Sequence, residues 1–244
     1  MDPVAFKIFG IEIMWYGVLI SLGVLLGVII ALRECKRTKF KEDNLLDFLL
    51  IAIPSAIIGA RAYYVIFSWD YYSANPSEII NIRNGGLAIH GALIAGAIVG
   101  ILFCKKRKIN VLELLDIVIP SVALGQAIGR WGNYINQEAF GGPTDLPWGI
   151  VVNGQKVHPT FLYESIIDFA IFIFLIWFRK NKKATHGQVL SLYLILYSAG
   201  RFFVEGLRTD SLMFLGMRVA QLISLVFIIA GIALWMYLKK RKKM

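Results

Sequence analysis

The sequence predicts an all-α, polytopic integral membrane protein. Seven transmembrane helices are expected, with the N-terminus outside, the C-terminus cytoplasmic and a small extracytoplasmic loop region. Three observations predict this. Apolar residues make up 57% of the 244 residues and charged residues only 17%, more apolar surface than a soluble domain of this size hides. Apolar stretches long enough to cross a hydrocarbon core of ~30 Å recur along the chain. The basic residues are grouped in alternate connections and at the C-terminal end. The net charge of +10 therefore does not mark a nucleic-acid-binding surface, and a chain this apolar is not a disordered one.

The first span is placed near Ile13–Leu32. A basic run follows it with no small-residue cleavage site, so it reads as a retained helix rather than a signal peptide. The others follow near Leu45–Phe67, Leu87–Cys104, Val111–Gly129, Thr160–Phe178, Gln188–Val204 and Arg218–Leu238. The third and sixth are short. Pro159 sits where a helix start tolerates proline. No internal repeat is visible, and residues 1–244 are expected to form a single integral-membrane domain.

Orientation comes from Lys and Arg. Residues 33–44 hold five, 105–108 four, 179–183 four and 239–243 five. These 18 of the 26 basic residues follow the odd-numbered spans, which places those connections and the C-terminus in the cytoplasm. The tail also suits an anionic lipid surface. Cys35 and Cys104 both fall at cytoplasmic helix ends, where a disulfide is not expected.

Eight basic residues lie elsewhere: Lys7, Arg61, Arg83, Arg130, Lys156, Arg201, Arg208 and Arg218. An ionisable group at membrane depth is costly and marks a functional candidate. Counting 1.5 Å per residue from the outer helix ends puts Tyr16, Arg61, His90, Arg130, Glu164 and Arg201 within about 10 Å of the outer interface. Each has a structural alternative. Interface arginines snorkel, Tyr16 beside Trp15 suits an aromatic belt, and Glu164 with Asp168 pairs with arginines to hold a bundle together. Helix packing alone gives no reason for all of them to lie on one side.

The densest segment, GRWGNYINQEAFGG at 129–142, joins the fourth span to the outer loop. Glycines there let backbone approach a ligand closely. In YSAGRFFVEGLR at 197–208, Tyr197, Arg201, Glu205 and Arg208 share one helix face. Arg130 and Arg201 suit a phosphate clamp, because guanidinium holds a phosphate with defined geometry. In a bundle open to lipid the natural phosphate is a phospholipid head group. His90 is the general-base candidate.

Absent motifs narrow the chemistry. There is no HExxH, no GxSxG and no lysine within a span, which argues against a zinc protease, an α/β-hydrolase and a retinal protein. No metal or cofactor is implied. With no thiol on the outer side, the nucleophile of an enzyme would come from a substrate. A transporter needs polar groups across the full membrane depth, and here they thin out in the inner half.

The segment GRWGNYINQEAFGG resembles the signature of the prolipoprotein diacylglyceryl transferase family. GGLAIHGALIAG, HPTFLYE and GRFFVEGLR resemble further elements of that family in its order, and the resemblance spans essentially the whole chain. Ala92 and Tyr134 depart from the family pattern, and neither change removes a polar group. The resemblance implies an enzyme of the bacterial cell membrane with its active site on the extracytoplasmic side. Its partners are phosphatidylglycerol, a prolipoprotein signal peptide with a lipobox cysteine, and the bilayer. The diacylglyceryl group moves to the cysteine thiol, a thioether forms and glycerol phosphate leaves. By the same resemblance Tyr16, His90, Arg130, Asn133, Glu138, Gly141, Arg201 and Glu205 match functional positions. Arg130 and Arg201 are expected to bind the phosphate, Glu205 to orient Arg201, and Tyr16, Asn133 and Glu138 to shape the head-group site. His90 is either the base or a group that orients the lipid.

Overall fold

The computed structural model describes residues 2–82, 85–209, 211–214 and 216–243. Arg83 lies outside them. A hairpin of β1 (Val4–Ile8) and β2 (Ile11–Met14) precedes α1 (Trp15–Thr38) and α2 (Glu42–Phe67). A short α3 (Trp69–Ala74) and a 3₁₀ turn (Pro76–Ile80) lead to α4 (Ile89–Arg107) and α5 (Val111–Ile135). The hairpin β3 (Ile150–Val152) and β4 (Gln155–Val157) precedes α6 (Thr160–Asn181) and α7 (Gln188–Glu205). A last hairpin, β5 (Met213–Phe214) and β6 (Met217–Arg218), opens α8 (Val219–Lys243).

A long helix forms at every expected span. Among the described residues six of them, all but α7, are long and apolar enough to cross a membrane by length and composition. Helix α7 has 18 residues and carries Arg201 and Glu205. Two expectations are corrected. The chain is mostly rather than wholly α-helical, because three two-stranded hairpins stand among the described residues. The first two turn on adjacent residues with positive φ, Phe9–Gly10 and Asn153–Gly154, which matches the twist of the paired strands. The fourth span does not end at Gly129. Its helix runs to Ile135, so Arg130 and Asn133 are helical. Tertiary contacts override the glycine penalty there: the Trp131 indole donates to Ser165 Oγ at 3.1 Å and Tyr134 stacks on Phe161 at 4.6 Å.

The basic clusters have a local structural role. They close helices: Lys36 and Arg37 end α1, Lys105, Lys106 and Arg107 end α4, and Arg179 and Lys180 end α6. Each complements the partial negative charge of a helix C-terminus.

The chain divides into two compact units, Met1–Arg33 with Leu115–Met244, and Glu34–Leu114. In the first, Ile119, Ala123, Ile171, Leu175, Phe178, Val189 and Tyr193 form a core. Ser121 donates to the Gly27 carbonyl at 2.8 Å, and Ser191 to the Gly231 carbonyl at 2.7 Å. Below this core Asp116 is fully buried. Its carboxylate accepts the Gly187 and Leu190 amides at 2.8 and 3.1 Å and so caps α7 from a different helix. Lys183 Nζ lies 3.1 Å from it. Pro120, inside α5, has no amide to offer the Asp116 carbonyl four residues back. Arg179 Nη1 occupies that place, reaching the carbonyls of Asp116 and Ile117 at 3.4 and 3.0 Å.

In the second unit α2 and α4 pack at Gly59 and Gly91. A Cβ on Gly91 would lie 2.5 Å from Tyr63 Cβ and 2.7 Å from the Gly59 carbonyl carbon, so only glycine permits this approach. Arg61 is buried. It donates to the carbonyls of Glu78, Ile79, Asn81, Gly85 and Gly86 at 2.5–3.0 Å, and its guanidinium lies 5.0 Å from the Tyr72 ring centroid. This arginine folds the connection into α4; its donors are spent on backbone.

Candidate functional site

Helices α5, α6 and α7 of the first unit bring a cluster of charges together. On α6, Thr160, Glu164 and Asp168 recur every four residues, share a face and are all buried. Helix α7 approaches closely because Gly200 has no side chain: a Cβ there would lie 2.6 Å from Ile167 Cγ2. Arg201, the next residue, therefore reaches α6. Helix α5 is stitched to α6 through Ser165, which donates to the Ala127 carbonyl at 2.8 Å and accepts from Trp131. These bonds flank Arg130 and Glu164.

Glu164 is the centre of the cluster. One carboxylate oxygen pairs with Arg130 Nη1 at 3.0 Å, and the other pairs with Arg201 Nη1. Arg201 Nη2 pairs in turn with Glu205 Oε2 at 2.6 Å, and Arg208 Nε lies 4.0 Å from the same oxygen. The carboxylates are 5% and 4% exposed and the two guanidiniums about a fifth. Burial at that level is tolerable only because the charges are paired. Arg130, Glu164, Ile167, Asp168, Tyr197, Gly200 and Arg201 line a small cavity. Asp168 is 3% exposed, and its Oδ2 has no hydrogen-bond partner among the described residues.

Beyond the cluster the end of α5 turns into a loop. Asn133 Nδ2 donates to Glu138 Oε1 at 2.9 Å, and the Glu138 amide donates to the Asn133 carbonyl at 3.0 Å. The two residues hold each other across the helix end, with Gln137 and Ala139 at positive φ. The chain then threads between two others. The Gly141 amide donates to the His158 carbonyl at 3.0 Å, and the Gly142 amide to the Leu207 carbonyl at 2.9 Å. A Cβ on Gly141 would lie 2.6 Å from His158 Cβ and 3.0 Å from the Leu207 carbonyl oxygen. Gly141 thus joins the exit of α5, the entry of α6 and the exit of α7. Arg218 Nη1 donates to the Glu205 carbonyl and ties the start of α8 to the same place.

A family model described as prolipoprotein diacylglyceryl transferase matches residues 3–237. The chain belongs to the prolipoprotein diacylglyceryl transferase family. Among curated relatives, the phosphatidylglycerol–prolipoprotein diacylglyceryl transferase of Finegoldia magna is 58% identical over 241 residues, covering 99% of this chain and 97% of its own length. The protein of the same name from Clostridioides difficile is 58% identical over 243 residues, covering 100% and 98%. The one from Staphylococcus aureus is 48% identical over 250 aligned positions, covering 97% and 89%.

In this member of the diacylglyceryl transferase family the structure brings Arg130, Arg201 and Glu205 into one cluster, with Asn133, Glu138 and Gly141 at the end of α5 and in the loop beyond it. Tyr16, the second residue of α1, lies against Gly132 of α5, where a Cβ would stand 2.8 Å from its Cε2. His90 belongs to the second unit. It is exposed at the start of α4, and its ring centroid is 5.8 Å from that of Tyr63. Glu164, expected from the sequence to pair with arginines but not among the positions matched by the family resemblance, is the residue that ties Arg130 to Arg201. Its four-residue spacing from Asp168 on an apolar helix was the available signal. What the spacing does not tell is which partners that face meets.

Proposed function

We propose that this chain transfers the diacylglyceryl group of phosphatidylglycerol to the thiol of a prolipoprotein lipobox cysteine. The thiol sulfur attacks the glyceryl carbon that bears the phosphate. A carbon–sulfur bond forms, the carbon–oxygen bond breaks, and its electron pair leaves with glycerol phosphate. The thiol proton goes to a base. A free thiol of pKa ~8.5 is mostly protonated at neutral pH, so a base contributes to the rate, and His90 is assigned this role. The phosphate gains one negative charge as the carbon–oxygen bond breaks. Arg130 and Arg201 are assigned to hold it, since donors already in place where charge develops need no rearrangement at the moment of reaction. Glu205 orients Arg201, while Tyr16, Asn133, Glu138 and Gly141 shape the head-group site.

The observation that carries this assignment is the pairing of Arg130 and Arg201 through one carboxylate. It puts two guanidiniums, from two helices, on a single anion. The membrane arrangement that goes with it has seven spans, α7 included. The N-terminus and the site face the extracytoplasmic side of a bacterial cell membrane, and the C-terminus faces the cytoplasm. The test mixes purified protein, vesicles of phosphatidylglycerol and a lipobox peptide. The expected result is a peptide mass gain of one diacylglyceryl unit at the cysteine; no gain beside an active control enzyme overturns the proposal.

A further inference from the structure

We infer that Glu164 is the resident anion of the phosphate site, and that the phosphate of substrate and product binds by displacing its carboxylate from Arg130 and Arg201. The inference rests on the phosphate role proposed for these arginines. A bare pair of guanidiniums at this depth would repel each other and face a large desolvation cost. In the structure Glu164 neutralises both, one oxygen to each. Two cations, Arg130 and Arg201, alternate with two anions, Glu164 and Glu205, along one chain of ion pairs. The site is therefore not a charged hole waiting for phosphate. It is a closed ion-pair network in which one anion is exchanged for another.

The two arginines are held differently, and this makes the exchange feasible. Arg201 keeps Glu205 on its Nη2 when Glu164 leaves its Nη1. It stays oriented while that donor turns to phosphate. Arg130 makes its ion pair, among the described residues, with Glu164, so it is handed over to the phosphate. The product phosphomonoester presents three terminal oxygens where a carboxylate or the substrate diester presents two, and it carries more charge than either. Glycerol phosphate would then bind more tightly than substrate and block turnover. Return of the Glu164 carboxylate to both arginines competes with it and drives release. Glu164 is thus a positioning residue that also sets how firmly the product is held.

The experiment compares wild type with Glu164→Gln, which keeps size and one acceptor but removes the competing charge. Glycerol phosphate is the probe, as an inhibitor of transfer from phosphatidylglycerol to the lipobox peptide. The expected result is inhibition at concentrations lower by about tenfold or more, the scale of one competing charge-assisted hydrogen bond, together with a lower KM for lipid and a lower kcat. Glu164→Asp, which restores the charge, should bring the inhibition back toward wild type. A folded Glu164→Gln protein with unchanged or weaker inhibition overturns the inference. A purely structural role would lower kcat with no gain in product affinity. Wild-type protein also gives a test independent of variants. Infrared difference spectra on saturation with glycerol phosphate should show a shifted carboxylate stretch, and a flat carboxylate region overturns the inference. If wild type fails to transfer a diacylglyceryl unit, it is the proposed reaction that falls.

Discussion

At the scale of single residues, Arg130 and Arg201 differ from the other basic residues by what they touch. Arg61 meets carbonyls, Arg218 meets the Glu205 carbonyl and Lys7 meets Glu12 at 2.7 Å on an open hairpin. Arg130 and Arg201 meet a carboxylate that they share. A lysine at 201 cannot hold Glu164 and Glu205 with two separate nitrogens. Arg201→Lys is therefore expected to lower kcat/KM for transfer by about tenfold or more, the scale of a lost charge-assisted hydrogen bond, and full activity would refute geometry-specific recognition. His90 has an aromatic neighbour and lies exposed. As the base, it is expected to cost about a hundredfold or more in kcat when changed to Gln. Near-normal turnover at saturating lipid would leave it only an orienting role. Arg130 and Arg201 were legible in the sequence because a charge inside an apolar run stands out. Glu164 was legible as a buried carboxylate but not as a bridge, because the bridge joins three helices.

At the scale of elements, helix ends carry much of the structure. The run at 179–183 reads in sequence as a topological signal, yet Arg179 supplies the donor that Pro120 withholds from α5, and Lys183 pairs with Asp116. Asp116 in turn caps α7, the helix that carries Arg201. Asp116→Ala leaves Lys183 without its buried partner and two helix amides unsatisfied. It is expected to destabilise the protein by about 3–5 kcal/mol, the usual cost of breaking a buried pair from one side. Thermal unfolding in detergent measures this, and a change within error would show that the cap is dispensable. The extension of α5 to Ile135 is the element that sequence patterning misjudged. Glycine and asparagine weaken a helix locally, and the aromatic contacts of Trp131 and Tyr134 with α6 outweigh that.

At the scale of the whole molecule the proposed orientation is open to direct measurement. Cys35 and Cys104 are buried, so an introduced thiol can be read against a low background. Gln155→Cys, on the β3–β4 hairpin, is expected to react with a membrane-impermeant thiol reagent in intact cells. Lys182→Cys, beyond α6, should react only after the cells are opened. The reverse pattern would invert the topology. Composition and the spacing of apolar runs by themselves determined that the chain is helical and where each long helix lies, because a segment that must satisfy its own backbone in lipid has few alternatives. The motif at 129–142 likewise determined the family. Tertiary structure alone decided which charges do which work. An arginine's partner depends on the helix packed against it, and that contact is set by side chains far apart in sequence: Gly200 on Ile167, Trp131 on Ser165. The sequence shows that charges stand within apolar runs; the packing of α5, α6 and α7 makes Glu164 the point where two of them meet.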